Sequence, residues 1–191
     1  HTSAFAYAKG RCAVSAVQRH QQNDSRWFLK LDCSNFFGST TKAFTLRMLS
    51  VIWPFSEIIE DSSTRPILDR ALDLCFLDGV LPQGTPISPM LTNIIMIPFD
   101  HAVFNSLRNF GGHHLVYTRY ADDLTISGRY DFKWTDVAQF IESMFRKFDA
   151  PYRLNYEKTH YGSCAGRNWI LGVMYNKDRK ITLGKKRKDA L

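Results

Sequence analysis

The sequence predicts an α+β fold, an antiparallel sheet backed by helices. Three observations carry this. Residues 26–31, "RWFLKL", alternate with period two: Trp27, Leu29 and Leu31 on one side, Phe28 and Lys30 on the other. "HLVYTRYA" (114–121) and "LTISG" (124–128) are β-prone runs on either side of the acidic pair Asp122–Asp123, as in a hairpin. Helical segments lie between and after these strands, without the regular alternation that a parallel βαβ sheet requires.

The elements follow in order. Residues 10–22, "GRCAVSAVQRHQQ", place Val14, Ala16 and Val17 at helical spacing, and a loop follows at 23–25. "RWFLKLDCSNFF" (26–37) opens as a strand. "TTKAFTLRMLSVIW" (40–53) carries an apolar stripe of Phe44, Leu46, Met48, Leu49 and Ile52; Thr40 or Thr41 is its candidate cap and Pro54 ends it. "TRPILDRALDLCFLDG" (64–79) is a second helix, with Pro66 in its first turn and Gly79 past its end. Three prolines and a glycine make "LPQGTPISP" (81–89) a shaped loop. "PMLTNIIMIPFDHAVFNSL" (89–107) is a long buried helix, with Ser88 as candidate N-cap and Pro98 set to kink or split it. "WTDVAQFIESMFRKF" (134–148) has one apolar face, formed by Val137, Phe140, Ile141, Met144, Phe145 and Phe148. "NWILGVMYN" (168–176) and "KITLG" (180–184) form a final hairpin closed by "KDR".

The 191 residues suit one domain, or the larger part of one. A formal net charge of +7 favours a polyanionic partner, nucleic acid foremost. Cys12, Cys33, Cys75 and Cys164 are widely spaced and form no CxxC pair, which argues against a zinc knuckle and against a disulfide framework. A cytoplasmic, reducing location is the expectation. No apolar run approaches the roughly 20 residues that span a bilayer, and no signal peptide opens the chain, so no membrane partner is expected.

Asp122 and Asp123 are open to two readings. Aspartate favours turns, and an isolated pair is explained by that. The second reading is a metal site, because Mg²⁺ takes oxygen ligands, usually one or two carboxylates plus substrate phosphates. Asp32 is the candidate partner. It ends the apolar strand "WFLKL", where a charge is costly unless paired or bound to a cation. Clustered carboxylates raise one another's pKa, and divalent cations relieve the conflict.

Three ordered motifs extend this reading. "LKLDCSNFF" gives D-x3-FF, "LPQGTPISPMLTN" gives PQG-x3-SP-x3-N, and "YTRYADD" gives YxDD; a lysine block and an LG hairpin follow. Together with "AFAYAKGRC" (4–12), this order resembles reverse transcriptases, most closely the bacterial retron and group II intron enzymes, over about residues 4–176. The resemblance implies a polymerase palm over 1–184, with a partial fingers subdomain at about 1–25 and 54–85. A basic tail, 185–191, would lead to a thumb beyond the sequence. Full enzymes of this group carry further finger segments before the "AFAY" block, so a palm with part of the fingers is expected, and activity of the piece by itself is not assumed.

The resemblance also implies roles. Asp32 and Asp122 would hold two Mg²⁺ ions (or Mn²⁺), with Asp123 beside them and the Cys33 carbonyl facing a metal. Phe37 would lie under the sugar of the incoming dNTP and clash with a 2′-OH; plain core packing is its other reading. Gln83 and Gly84 would lie against nucleotide and template, with Gly84 allowing close backbone approach. Tyr120, Leu171 and Gly172 would contact the primer. Lys158 would protonate the departing pyrophosphate, or else be a solvated surface lysine. "KKRK" (185–188) would hold nucleic-acid backbone, or form a solvated tail. The implied partners are an RNA template, a DNA or RNA primer and dNTPs. The alternatives are untemplated or protein-primed DNA synthesis in phage defence, and a non-catalytic nucleic-acid scaffold. The intact acids speak against the scaffold, since they would repel its anionic partner.

Overall fold

The computed structural model describes residues 1–165, 168–178 and 180–182. Its centre is a four-stranded antiparallel sheet of β1 (Trp27–Asp32), β2 (Leu115–Tyr120), β3 (Asp123–Gly128) and β4 (His160–Ser163), ordered β2-β3-β1-β4. β1 is covered on both faces. Leu29 and Leu31 enter the main core with Tyr117, Leu124 and Ile126. Phe28 points the other way, into a smaller core with Val17, Cys164, Ile170, Val173 and Tyr175. The period-two alternation of β1 thus separates two cores rather than core from solvent.

The main core lies between the sheet and a helical layer. α6 (Ile87–Ile95) and α7 (Ile97–Leu107) bury Leu91, Ile95, Phe99 and Val103. α8 (Trp134–Lys147) adds its apolar face, and Phe145 stacks on Phe99 with ring centroids 5.0 Å apart. On the opposite face α1 (Ala13–Gln22) is pinned by a buried polar chain. His20 contacts the Ser127 and Thr118 hydroxyls at 2.6 and 2.8 Å, and Ser127 donates to Ser25 at 2.7 Å. Burial holds the His20 imidazole down to about 3, so it packs as the neutral ring.

Several boundaries differ from the sequence reading, each for a local reason. The strand from 26 stops at Asp32, because Asn35 takes a left-handed φ of 46° and Phe36–Ser39 forms a short helix, α2. The helix read at 40–53 is α3 (Lys42–Leu49), capped by Thr41, whose side chain accepts from the Phe44 amide; a short α4 (Phe55–Glu60) follows Pro54. The helix read at 64–79 is α5 (Arg65–Asp73), and beyond it Leu77 and Val80 pair around Asp78–Gly79. The helix read at 89–107 begins earlier and is split, α6 and α7 meeting at 49° at Met96 with Pro98 in the first turn of α7. Ser88 is not its cap: it lies inside α6 and donates to the Pro82 carbonyl at 2.7 Å, fixing the proline-rich loop.

The segment 168–176 is not one strand. β5 (Asn168–Ile170) and β6 (Val173–Tyr175) pair around Leu171 and Gly172, at φ 51° and 82°, and β7 (Ile181–Thr182) adds to β6. Two successive positive φ values are the signature of a tight hairpin turn, which uninterrupted apolar character concealed. β4 was not anticipated; four residues with a central glycine give little strand signal. Gly184 and the "KKRK" tail lie outside the described residues. No single helix among the described residues is long and apolar enough to cross a membrane.

Candidate active site

The sheet register brings the acids together. Asp32, at the end of β1, stands opposite Asp123, the first residue of β3, and Asp123 in turn stands opposite Tyr120 of β2. Alternation puts all three on the face of the sheet that bears Phe28 and Lys30. The two-residue turn between β2 and β3 is Ala121–Asp122, with Ala121 at φ 55°. The Cys33 amide donates to the Asp122 carbonyl at 3.2 Å, which ties the turn to the chain beyond Asp32. Residues 153–155 then run beside 32–34: Ser34 N donates to Arg153 O and Asn155 N to Asp32 O.

Two hollows meet at Asp32. The larger, about 680 Å³, is bordered by Asp32, Asp122, Phe37, Gln83, Lys158 and Tyr7 among others. The smaller, about 360 Å³, is bordered by Asp32, Asp123, Lys30, Lys158, Leu171 and Gly172 among others. Asp32 and Lys158 therefore lie on both, Asp122 on the first and Asp123 on the second. Cys33 also borders the larger hollow, with its side chain buried in the core. Phe37 borders the larger hollow, and its ring packs edge-on against Phe36 at 5.5 Å. Gly84 borders neither hollow. Its φ of 90° explains the glycine, and a Cβ there would meet nothing within 4 Å, so close approach of protein backbone does not. Tyr120 is half-buried on the sheet and also lines neither hollow.

Lys158 closes a short 3-10 turn, Tyr156–Lys158, whose start is capped by Asn155. Its ammonium bridges both oxygens of Asp32 at 3.2 and 3.3 Å although the side chain is largely exposed. The remaining acids feel their neighbours. Desolvation raises the Asp122 carboxyl, and repulsion from Asp32 adds to this. Asp123 is pushed up to about 6, first by desolvation and then by Asp122 and Asp32.

Among the described residues no three acidic, histidine or cysteine side chains form a ready-made cation cage. Two carboxylates facing a polar hollow nevertheless fit the usual Mg²⁺ arrangement, in which substrate phosphates complete the shell. Raised carboxyl pKa values on adjacent acids are what a cation would relieve. The sequence reading gave no role to Tyr7, Asn35 or Asn155, which also border the larger hollow. Asn35 sits within the D-x3-FF motif, and its side chain covers Gly38, where a Cβ would lie 2.4 Å from Asn35 Oδ1. That glycine was the available signal.

A family model described as "Reverse transcriptase (RNA-dependent DNA polymerase)" matches residues 1–182. The chain belongs to this family. Its similar relatives include the retron Ec83 reverse transcriptase of Escherichia coli, 29% identical over 98% of this chain and 59% of the relative. The retron Ec73 reverse transcriptase of E. coli is 23% identical over 100% of this chain and 61% of the relative. The retron Mx65 reverse transcriptase of Myxococcus xanthus is 28% identical over 97% and 43%. The chain thus spans about 60% of the first two relatives' length. Among solved structures, apo telomerase from Candida tropicalis matches with a TM-score of 0.66 at 13% identity, over 95% of this chain and 41% of that one. Telomerase from Candida albicans with a fragment of telomeric RNA also gives 0.66 at 13%, over 94% and 34%. At such identity the likeness is one of fold, and it agrees with an α+β polymerase palm.

Proposed function

We propose that this reverse-transcriptase chain forms the catalytic palm of an RNA-directed DNA polymerase that extends a primer on an RNA template with dNTPs. The observation that carries the reading is the position of Asp32 between two hollows. One is bordered by the aromatic Phe37 and by Gln83, and suits an incoming nucleotide. The other is bordered by the Leu171–Gly172 turn, and suits a primer end. A residue on both is where the two reacting groups would meet.

In this reading the primer 3′-oxygen attacks the α-phosphorus, the bond to the β-phosphate breaks, and pyrophosphate leaves. Asp32 and Asp122 would hold divalent ions, Mg²⁺ or Mn²⁺, which when bound activate the attacking hydroxyl and stabilise the leaving oxygen. Phe37 would exclude a 2′-OH from beneath the sugar. Lys158, which borders both hollows, would supply the leaving group's proton. Tyr120 and the Leu171–Gly172 turn would align the primer strand.

Primer extension on a defined RNA template tests this, using the protein with whatever segments flank these residues in its natural product. Asp122→Asn is expected to lower the rate by at least 10²-fold, since metal positioning supplies several kcal/mol of transition-state stabilisation. Equal extension by both proteins rejects the assignment. Product sequencing that shows no copy of the template replaces templated synthesis by the untemplated alternative.

A further inference from the structure

Arg119 lies in β2, two residues before the turn. It borders neither hollow, yet its side chain is fully buried. Its guanidinium forks onto Asp100 of α7, Nε donating to Oδ1 at 2.9 Å and Nη2 to Oδ2 at 2.8 Å, and the Tyr117 hydroxyl donates to the same Oδ1 at 2.8 Å. The remaining nitrogen, Nη1, donates at 3.2 Å both to the Ala121 carbonyl and to Asn93 Oδ1 of α6. Asn93 Nδ2 then donates to the Ala6 carbonyl at 2.8 Å. The Arg119 backbone holds the same N-terminal segment, its N–H donating to Ser3 O at 2.7 Å and its carbonyl accepting from Phe5 N at 2.9 Å.

A buried ion pair is a poor device for stability, because well-packed apolar residues often serve as well or better. Its geometric consequences are the stronger reason for it. Ala121 is a non-glycine residue held at positive φ, a conformation that persists only where its surroundings over-determine it. Arg119 fixes the carbonyl before Asp122, and the Cys33 amide fixes the carbonyl of Asp122 itself. Both peptide planes around Asp122 are thereby set. Through Asn93 the same guanidinium fixes Ala6, and so the start of Tyr7, which borders the larger hollow with Asp122. Asn93 is the last residue of PQG-x3-SP-x3-N, and Arg119 stands beside YxDD; no role above uses either.

We propose that Asn93, Asp100 and Arg119 are positioning residues of the transfer site, holding the Ala121–Asp122 turn and the Tyr7 segment in register across the nucleotide hollow. Its activity readout rests on the polymerase reading; its metal-binding readout does not. Arg119 needs its fork, because one group must reach a carboxylate, an amide oxygen and a backbone carbonyl together, which a lysine ammonium cannot do.

The test is a triple variant, Asp100→Leu/Tyr117→Phe/Arg119→Met, which replaces the buried polar cluster with apolar groups of similar volume. Thermal unfolding should remain cooperative with a midpoint at or above wild type. Single-nucleotide addition should lose about 10–10²-fold in kcat, the scale of a small misplacement of reacting groups, while the primer–template Kd holds. Mn²⁺ binding followed by electron paramagnetic resonance should weaken about 5–10-fold, a coupling-sized effect. Arg119→Lys, which keeps the charge without the fork, should show the same losses. A folded triple variant with wild-type kcat and Mn²⁺ affinity overturns the proposal. If the triple variant does not fold, Asn93→Ser decides: a fall in kcat with an intact fold supports positioning, and a wild-type rate overturns it. If wild type extends no primer, the polymerase reading fails, and the Mn²⁺ titration still decides the positioning claim.

Discussion

Replacing Asp123 with asparagine removes a charge and keeps the side chain's shape, and the metal-free protein should become more stable as a result. Asp123 stands opposite Asp32 across the β1–β3 ladder and follows Asp122. Desolvation and then these two acids push its carboxyl up to about 6 from 3.8. A raised folded-state value means that the native protein holds this proton more tightly than the unfolded chain does. The favourable contribution is therefore complete below about pH 4 and is lost as pH rises through 6. At pH 7.5 the ionised group carries its full cost. The shift corresponds to at most about 3 kcal/mol. Asp123 is exposed at the end of β3, and solvent screening brings this to about 1–2 kcal/mol. For a chain of this size the gain is a rise in Tm of roughly 2–8 °C. Thermal unfolding in EDTA at pH 7.5 and 5.0 measures it. At pH 5.0 about half of the difference should vanish, because native wild type is then largely protonated at this position. Added Mg²⁺ at pH 7.5 should narrow the gap by raising wild type. The reasoning is refuted if Asp123→Asn is no more stable than wild type at pH 7.5 in EDTA, or if the difference is the same at both pH values.

Three further outcomes are expected. His20→Gln should cost about 1–3 kcal/mol at pH 7.5 through lost hydrogen bonds to Ser127 and Thr118. Wild type, with His20 depressed to about 3, should lose up to about 1.4 kcal/mol for each pH unit below 6.5, a slope the variant lacks in urea titrations. Phe37→Ala should admit ribonucleotides more readily in single-nucleotide addition; unchanged sugar discrimination would leave the ring with its packing role against Phe36. Lys158→Gln should shift the urea midpoint by less than about 1 kcal/mol, since the pair with Asp32 is solvent-exposed on the lysine side, yet lower the extension rate about 10²-fold if the ammonium acts as the acid.

Much of the site was legible because its residues carry chemistry that tolerates few substitutes. Adjacent acids beyond an apolar strand, an aromatic pair after Asp32 and a glutamine after Pro82 stand out in the sequence, and the fold brings Asp32, Asp122, Phe37 and Gln83 around one hollow. The fold's ends were less legible. The Leu171–Gly172 hairpin came from motif order alone, since periodicity cannot see a turn whose flanks are both buried. β4 and α4 are too short to carry a pattern at all. Tyr7 and Asn155 reach the hollow only through long-range pairing, of Ser3 and Phe5 with Arg119 and of Asn155 with Asp32. No local window of sequence contains that information.

The acids at Asp32 and Asp123 break a rule that the rest of the sheet obeys. Like charges directly opposite one another destabilise a ladder, and here they stand at its end with a third acid in the adjoining turn. Everything around them works to hold this arrangement in place. Leu31 and Leu124 pair one step inward within the main core, the Cys33 amide holds the Asp122 carbonyl, and Asn155 holds the carbonyl of Asp32. Backbone pairing and core packing thus fix the carboxylates where their mutual repulsion would otherwise separate them. Lys158 supplies the positive charge that Asp32 meets in the protein itself, with both oxygens engaged. In the proposed reaction a cation approaching Asp32 would have to share or displace that ammonium, which would leave Lys158 free to turn toward a phosphate leaving group. The same contact would then link relief of charge at Asp32 to delivery of the acid, and local instability at the sheet end would become a condition of the chemistry.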